Sequence, residues 1–227
     1  MDGRLVVVGG ASRSGKTQYV MRAVASAPRV CAWDIESQYC ELPGWERVTT
    51  KAALLAALER PGAARIAYVA SGKMAAAFDF WAGAVYYSGR YIEPVTAIAE
   101  ELADVTSMAK APGNWGVLLR RGLKRGITIY AISQRWAEAD KTAMGNASEF
   151  VIFRQATASD EQYIAARTRI PLESISGLKP LEFVRYDASE QKREPGRLRF
   201  DETQDKVRRI RPKKPETVPR ERKNDAQ

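Results

Sequence analysis

The residues 10–17, Gly10-Ala11-Ser12-Arg13-Ser14-Gly15-Lys16-Thr17, fit the pattern G-x-x-x-x-G-K-[ST] and follow the apolar run Leu5-Val6-Val7-Val8. Backbone N–H groups of such a glycine-rich turn, with the positive end of the helix after it, surround a phosphate without needing side chains. Gly10 and Gly15 give the backbone room, and Lys16 can set a point charge on the β- and γ-phosphates. The Thr17 hydroxyl has the reach to ligate a Mg²⁺ ion bridging the same oxygens. The alternative is a structural glycine turn, but a strand before the loop and a helix at residues 18–27 supply the context that a nucleotide site requires.

A second group of chemistry-bearing residues stands about eighty positions on. Glu100 and Glu101 close the apolar run Val95-Thr96-Ala97-Ile98-Ala99. Hydrolysis of a nucleotide needs one carboxylate near Mg²⁺ and another to orient or deprotonate the attacking water, and adjacent acids at a strand end can serve both. They could also be no more than the acidic first turn of a helix, favoured by its dipole. A third element is Gln134, just past the run Ile127-Thr128-Ile129-Tyr130-Ala131-Ile132, an uncharged amide able to bond a γ-phosphate or its attacking water. Arg120, Arg121, Lys124 and Arg125 gather before that run, and their structural reading is a solvated helix face, the alternative to a functional one.

The chain has 227 residues, 45% apolar composition and a net charge of +9, which suits one cored domain of ordinary size plus an appendage. There is no histidine, so Ser-His and Cys-His triads and histidine metal ligation are excluded. Cys31 and Cys40 are too few for a disulfide framework or a zinc site. Apolar runs such as residues 65–70 fall far short of the ~20 residues of a membrane helix, and the N-terminus lacks a signal-peptide apolar region. No membrane span is expected, and the cytosol is the expected compartment.

Strand-like and helix-like runs alternate, the signature of a parallel sheet with helices on its faces. Strands are expected at residues 4–8, 29–34, 66–70, 95–99, 127–132 and 149–153, with a closing strand at 181–186. Helices are expected at 18–27, 52–58, 73–88, 102–108, 115–124 and 160–167. Met74, Phe78, Trp81, Ala82 and Val85 recur at helical spacing, which favours core packing over a base-stacking platform. Residues 1–187 therefore form the expected domain and 188–227 the expected flexible basic tail. That tail holds 13 Lys/Arg against 8 Asp/Glu and is interrupted by Pro212, Pro215 and Pro219. Its partner is a polyanion or an acidic protein surface, unless it serves only solubility.

Taken in order, the phosphate loop, the stretch Ala99-Glu100-Glu101-Leu102-Ala103-Asp104, and Arg125-Gly126-Ile127 through Gln134 resemble the FtsK/HerA class of ring-forming, DNA-translocating ATPases. Within that class the chain looks most like the small genome-packaging ATPases of tectiviruses, the internal-membrane bacteriophages. The resemblance covers residues 4–155. It implies an α/β P-loop NTPase three-layer sandwich of the RecA/FtsK type, with a mainly parallel sheet carrying an additional strand between the phosphate-loop strand and the acidic strand. It further implies a Mg²⁺-dependent ATPase that packages double-stranded DNA into a preformed capsid, as a homo-oligomeric, usually hexameric, ring docked on portal-vertex proteins, in the host cytoplasm and the virion. On that pattern Glu100 coordinates the magnesium shell with Thr17, Glu101 activates water, Gln134 senses the γ-phosphate and Arg125 completes a neighbouring subunit's site. The pattern's first acid is commonly Asp. Glu100 has an extra methylene, so the division of labour with Glu101 is open, and Arg120, Arg121 and Arg135 compete with Arg125.

Three other functions are compatible with a phosphate loop in this chain. A filamentous-phage extrusion ATPase usually carries a membrane span. A nucleotide or small-molecule kinase leaves the acid pair and Gln134 unexplained. A non-catalytic DNA- or capsid-binding protein would bind ATP without turnover.

Overall fold

A computed structural model describes residues 2–107, 111 and 113–199. Its chain builds one nine-stranded sheet in which the first seven strands are parallel and the last two antiparallel. In chain order the strands are β1 (Leu5–Gly9), β2 (Arg29–Trp33), β3 (Glu46–Val48), β4 (Ala64–Tyr68), β5 (Thr96–Ala99), β6 (Thr128–Ser133), β7 (Glu149–Phe153), β8 (Glu182–Asp187) and β9 (Lys192–Arg197). The helices are α1 (Lys16–Ala23), α2 (Lys51–Glu59), α3 (Met74–Tyr91), α4 (Leu102–Val105), α5 (Gly113–Arg121), α6 (Lys141–Asn146), α7 (Ala158–Arg167) and α8 (Leu172–Ser176). Across the sheet the order is β3-β4-β2-β5-β6-β1-β7-β8-β9. Strand β6 thus lies between the phosphate-loop strand β1 and the acidic strand β5, where the additional strand was expected.

Strands β1, β2 and β7 are buried at every position. This is the behaviour of parallel strands covered on both faces, and it explains why they read as continuous apolar runs rather than alternating ones. Alternation reappears in the packing: Leu5 and Val7 enter one core, Val6 and Val8 the other. The first core is large and aromatic, with Trp33, Phe78, Trp81 and Trp115, and takes buried side chains from α2 through α8. Phe78 and Trp81 are buried here, as core spacing requires. The opposite face is covered by α1 through Val20, by Tyr39, Leu42 and Trp45 of the segment after β2, and by Leu181, Phe183 and Leu198.

Several boundaries differ from the expectations. Helix α1 ends at Ala23, and residues 115–124 divide into α5 and a 3₁₀ turn at Leu123–Arg125. Residue 108 of the helix expected at 102–108 lies outside the described residues. Strand β3 and the short helices α6 and α8 had no expectation, being too brief to show a period. The larger correction concerns the boundary at 187. Strand β8 does not close the sheet, because β9 pairs with it from Glu182↔Arg197 to Asp187↔Lys192. Arg185 bridges Glu149 of β7 and Glu194 of β9, so the hairpin is tied to the sheet through charge. The fold therefore runs into the segment expected as tail. The remainder of that segment, residues 200–227, lies outside the described residues.

Candidate nucleotide-binding site

The parallel strands end nearly level, with Gly9 beside Ser133 and Ile152, Ala99 beside Ala131, and Trp33 beside Ala99. Ligands of open α/β sheets bind at this carboxyl edge. There a polar cleft of about 590 Å³ is lined by Ser12, Arg13, Gly15, Lys16, Thr17, Gln18, Glu36, Gln38, Glu101, Gln134 and Leu181.

The phosphate loop makes its turn with Gly10 at φ 155°, Arg13 at φ 59° and Gly15 at φ 117°. Both glycines are also required by packing from below. A Cβ on Gly10 would lie 2.6 Å from Phe153 Cβ, and one on Gly15 3.0–3.2 Å from Leu198, Phe153 and Leu181. The loop is pinned by two backbone bonds, Ala11 N–H to Arg154 O at 2.8 Å and Leu181 N–H to Ser14 O at 3.1 Å. Lys16 folds over it, donating from Nζ to Gly10 O (2.8 Å) and Ala11 O (3.0 Å). Burial lowers the lysine's pKa, and the charges of Glu101 and Glu100 pull it back up. Two buried hydroxyls, Ser14 Oγ in the loop and Ser133 Oγ at the end of β6, have no hydrogen-bond partner. Orphaned hydroxyls in a glycine-rich anion cradle fit a site that takes phosphate oxygens or their water.

Glu100 and Glu101 lie in different environments. Glu100 is buried, and burial pushes its carboxyl up to about 7, opposed by a hydrogen bond from Tyr39 and by Lys16, and assisted by Glu101 and Asp34. Glu101 lines the open cleft on a left-handed backbone (φ 46°, ψ 57°) and caps α4 without a side-chain bond to it. A non-glycine residue in that region costs about 1–2 kcal/mol. The acids are therefore not a helix's ordinary acidic first turn; instead Glu101 Oε1 accepts from Gln134 Nε2 at 2.7 Å. A carboxylate and an amide joined in this way can hold a water between a base and a phosphate.

Hard-oxygen donors suit Mg²⁺, which is commonly held by one or two carboxylates plus substrate phosphates. Thr17 on the cleft wall and the buried Glu100 carboxyl beside Glu101 are donors of that kind, and among the described residues no cluster of three or more His, Cys, Asp or Glu could hold a metal unaided.

The structure thus gathers residues 10–17, Glu100, Glu101 and Gln134 at one edge. Arg125 is not among them. It is exposed, in the 3₁₀ turn before β6, at the opposite edge of the sheet and about 20 Å away by strand rise. Arg120 and Arg121 are exposed in the last turn of α5, whereas Arg135 pairs with Glu138 and, at 3.6 Å, with Asp160. Sequence reasoning missed Glu36, Gln38 and Tyr39. They follow β2, and only the adjacency of β2 and β5 brings them to the site.

The chain has an α/β P-loop fold, with the glycine loop at the end of β1, an acid pair after β5 and a strand between them. No known protein-family profile matches the chain. Among curated proteins it is similar to protein P9 of Pseudoalteromonas phage PM2, 32% identical over 143 residues, which cover 60% of this chain and 62% of P9. The chain thus matches about three fifths of that relative's length. Among solved structures it is similar to the genome packaging NTPase B204 of Sulfolobus turreted icosahedral virus 2 in complex with AMPPCP, with TM-score 0.72, 15% identity, and coverage of 87% of this chain and 98% of that one. A bacterial conjugative coupling protein shares the fold at TM-score 0.58 and 7% identity, over 86% of this chain and 84% of that one.

Proposed function

We propose that the protein is a viral genome-packaging ATPase, which hydrolyses ATP to move double-stranded DNA into a preformed capsid. The observation that carries this is the joined Glu101–Gln134 pair opposite a complete phosphate loop, in a fold that B204 shares over nearly its whole length. Lys16 moves from Gly10 O and Ala11 O to the β- and γ-phosphates. Glu101 accepts the proton of the attacking water, and Gln134 holds that water and the γ-phosphate in line. Thr17 and Glu100 would hold Mg²⁺, which when bound would supply charge neutralisation on the phosphates.

Arg125 acts in trans in this proposal, on the site of the next subunit of a homo-oligomeric, tectivirus-type hexameric ring. Its exposure far from its own cleft supports that assignment. Beside its turn is an exposed aromatic corner: Gly89 packs on Ile127, and Tyr87 and Tyr91 pair at 4.9 Å between ring centroids, with Arg90 over Tyr91. DNA is gripped through phosphate contacts by Lys and Arg, the portal vertex is the docking partner, and the protein works in the host cytoplasm and at the packaging vertex of the virion.

ATP turnover measured with and without long duplex DNA, at low and moderate salt, tests this. Stimulation by any duplex sequence, falling steeply with salt, is expected. Turnover indifferent to DNA, or phosphate transfer to a nucleoside acceptor, contradicts it.

A further inference from the structure

Behind the acid pair stands a phenol that the proposed chemistry does not use. Tyr39 is fully buried, and its hydroxyl lies 2.5 Å from Glu100 Oε1. We propose that Tyr39 is the positioning residue for Glu100: by holding Oε1 it fixes the carboxyl's torsion and reserves Oε2 for the divalent ion and its water. The proposal rests on the cleft being a metal–nucleotide site.

The Tyr39 hydroxyl is the donor and Glu100 Oε1 the acceptor, as a phenol facing a carboxylate requires. Among the described residues Glu100 Oε2 accepts no hydrogen bond, so the two oxygens are not equivalent.

Tyr39 is itself held from three sides. Asp34, just past β2 and nearly inaccessible, accepts from the backbone N–H groups of Gln38 (2.7 Å), Tyr39 (3.0 Å) and Cys40 (2.9 Å). The backbone turns within that loop at Ser37, φ 53°. The Tyr39 ring packs against Trp45 at 5.1 Å in the smaller core. Since Trp33 of β2 is in register with Ala99 of β5, the loop after β2 is clamped beside the residue that follows Ala99, which is Glu100. The same loop puts Glu36 and Gln38 on the cleft wall. Hydrogen-bond partners behind a ligating group orient it, and losing one commonly costs ten- to hundredfold in metal affinity.

Binding of a fluorescent ATP analogue is measured in EDTA and across a Mg²⁺ titration for wild type, Tyr39→Phe and Asp34→Asn, with Mn²⁺ binding to the nucleotide complex followed by electron paramagnetic resonance. Tyr39→Phe keeps the ring and its packing and removes only the hydroxyl. Its metal-free nucleotide affinity should match wild type, with Tm lowered by the lost buried hydrogen bond, while half-saturating Mg²⁺ and the Mn²⁺ dissociation constant rise about tenfold or more. Asp34→Asn, which weakens the clamp but leaves the hydroxyl, should shift the metal dependence in the same direction by less. Wild-type metal dependence in Tyr39→Phe overturns the proposal, as does an equal loss of metal-free and metal-dependent binding. Wild-type protein that binds no nucleotide overturns the underlying site assignment instead.

Discussion

The Gln134 amide donates to Glu101 Oε1 at 2.7 Å, joining the ends of β6 and β5 across the mouth of the nucleotide cleft. Both side chains are thereby held to each other on the wall of the cleft that the phosphate loop lines. Glu101→Gln should lower single-turnover hydrolysis by about 10²–10⁴-fold while nucleotide affinity stays within a few-fold. Gln134→Ala should lower it about 10²-fold. Rapid-quench hydrolysis beside equilibrium nucleotide binding checks both, and parallel losses of binding and turnover would assign the pair a merely structural role.

The phosphate loop depends on chain far from it. Gly15 is left-handed and in contact range of Leu198, Phe153 and Leu181. Gly15→Ala should destabilise the fold by about 2–4 kcal/mol through backbone strain and overpacking. Leu198→Ala, which opens a hole beneath the loop, should cost about 2–4 kcal/mol. Urea unfolding measures both, and nucleotide affinity of Leu198→Ala under native conditions shows whether the loop loosens.

A truncation that ends the chain at residue 199 should keep wild-type Tm and nucleotide binding. One that ends it at 187 removes β9, Leu198 and the Arg185–Glu194 pair, and should unfold at distinctly lower temperature. Differential scanning calorimetry separates the two.

The two thiols are predicted to differ. Cys31 is fully buried on β2, accepts a bond from Trp81 Nε1 at 3.3 Å, and burial pushes its thiol up to about 12. Cys40 is only half-buried, and its thiol is raised by burial and by Asp34. Since the thiolate is the reactive form, a disulfide reagent at pH 8 should label one thiol in the native protein and two in denaturant. Rapid labelling of both in the native state would contradict the placement of Cys31.

What the sequence made legible is contiguous. The phosphate loop is read as a string of residues, and the Glu pair and Gln134 each end an apolar run long enough to show as a buried strand. Tyr39 was invisible because its partner Glu100 is 61 positions away and meets it only through the pairing of β2 with β5. Strand β9 was missed for a different reason. Its sequence Lys192-Arg193-Glu194-Pro195-Gly196-Arg197 carries no apolar alternation, as suits an exposed edge where Pro195 is tolerated. What holds it is the ladder to β8, its ion pairs, and the Phe183 ring lying against Gly196, where a Cβ would come within 2.3 Å. Arg125 was legible as part of a basic cluster, but its position at the opposite edge from the cleft followed only from the fold.

Hydrolysis by wild type, Glu101→Gln and Arg125→Ala, each measured with and without long duplex DNA beside nucleotide affinity in the same buffer, bears most directly on the proposed motor. DNA should stimulate the wild type, and both variants should bind nucleotide yet lose turnover, Arg125→Ala by about 10³-fold or more. DNA-independent turnover that survives Arg125→Ala would contradict a shared, DNA-coupled site and leave a self-contained nucleotide hydrolase.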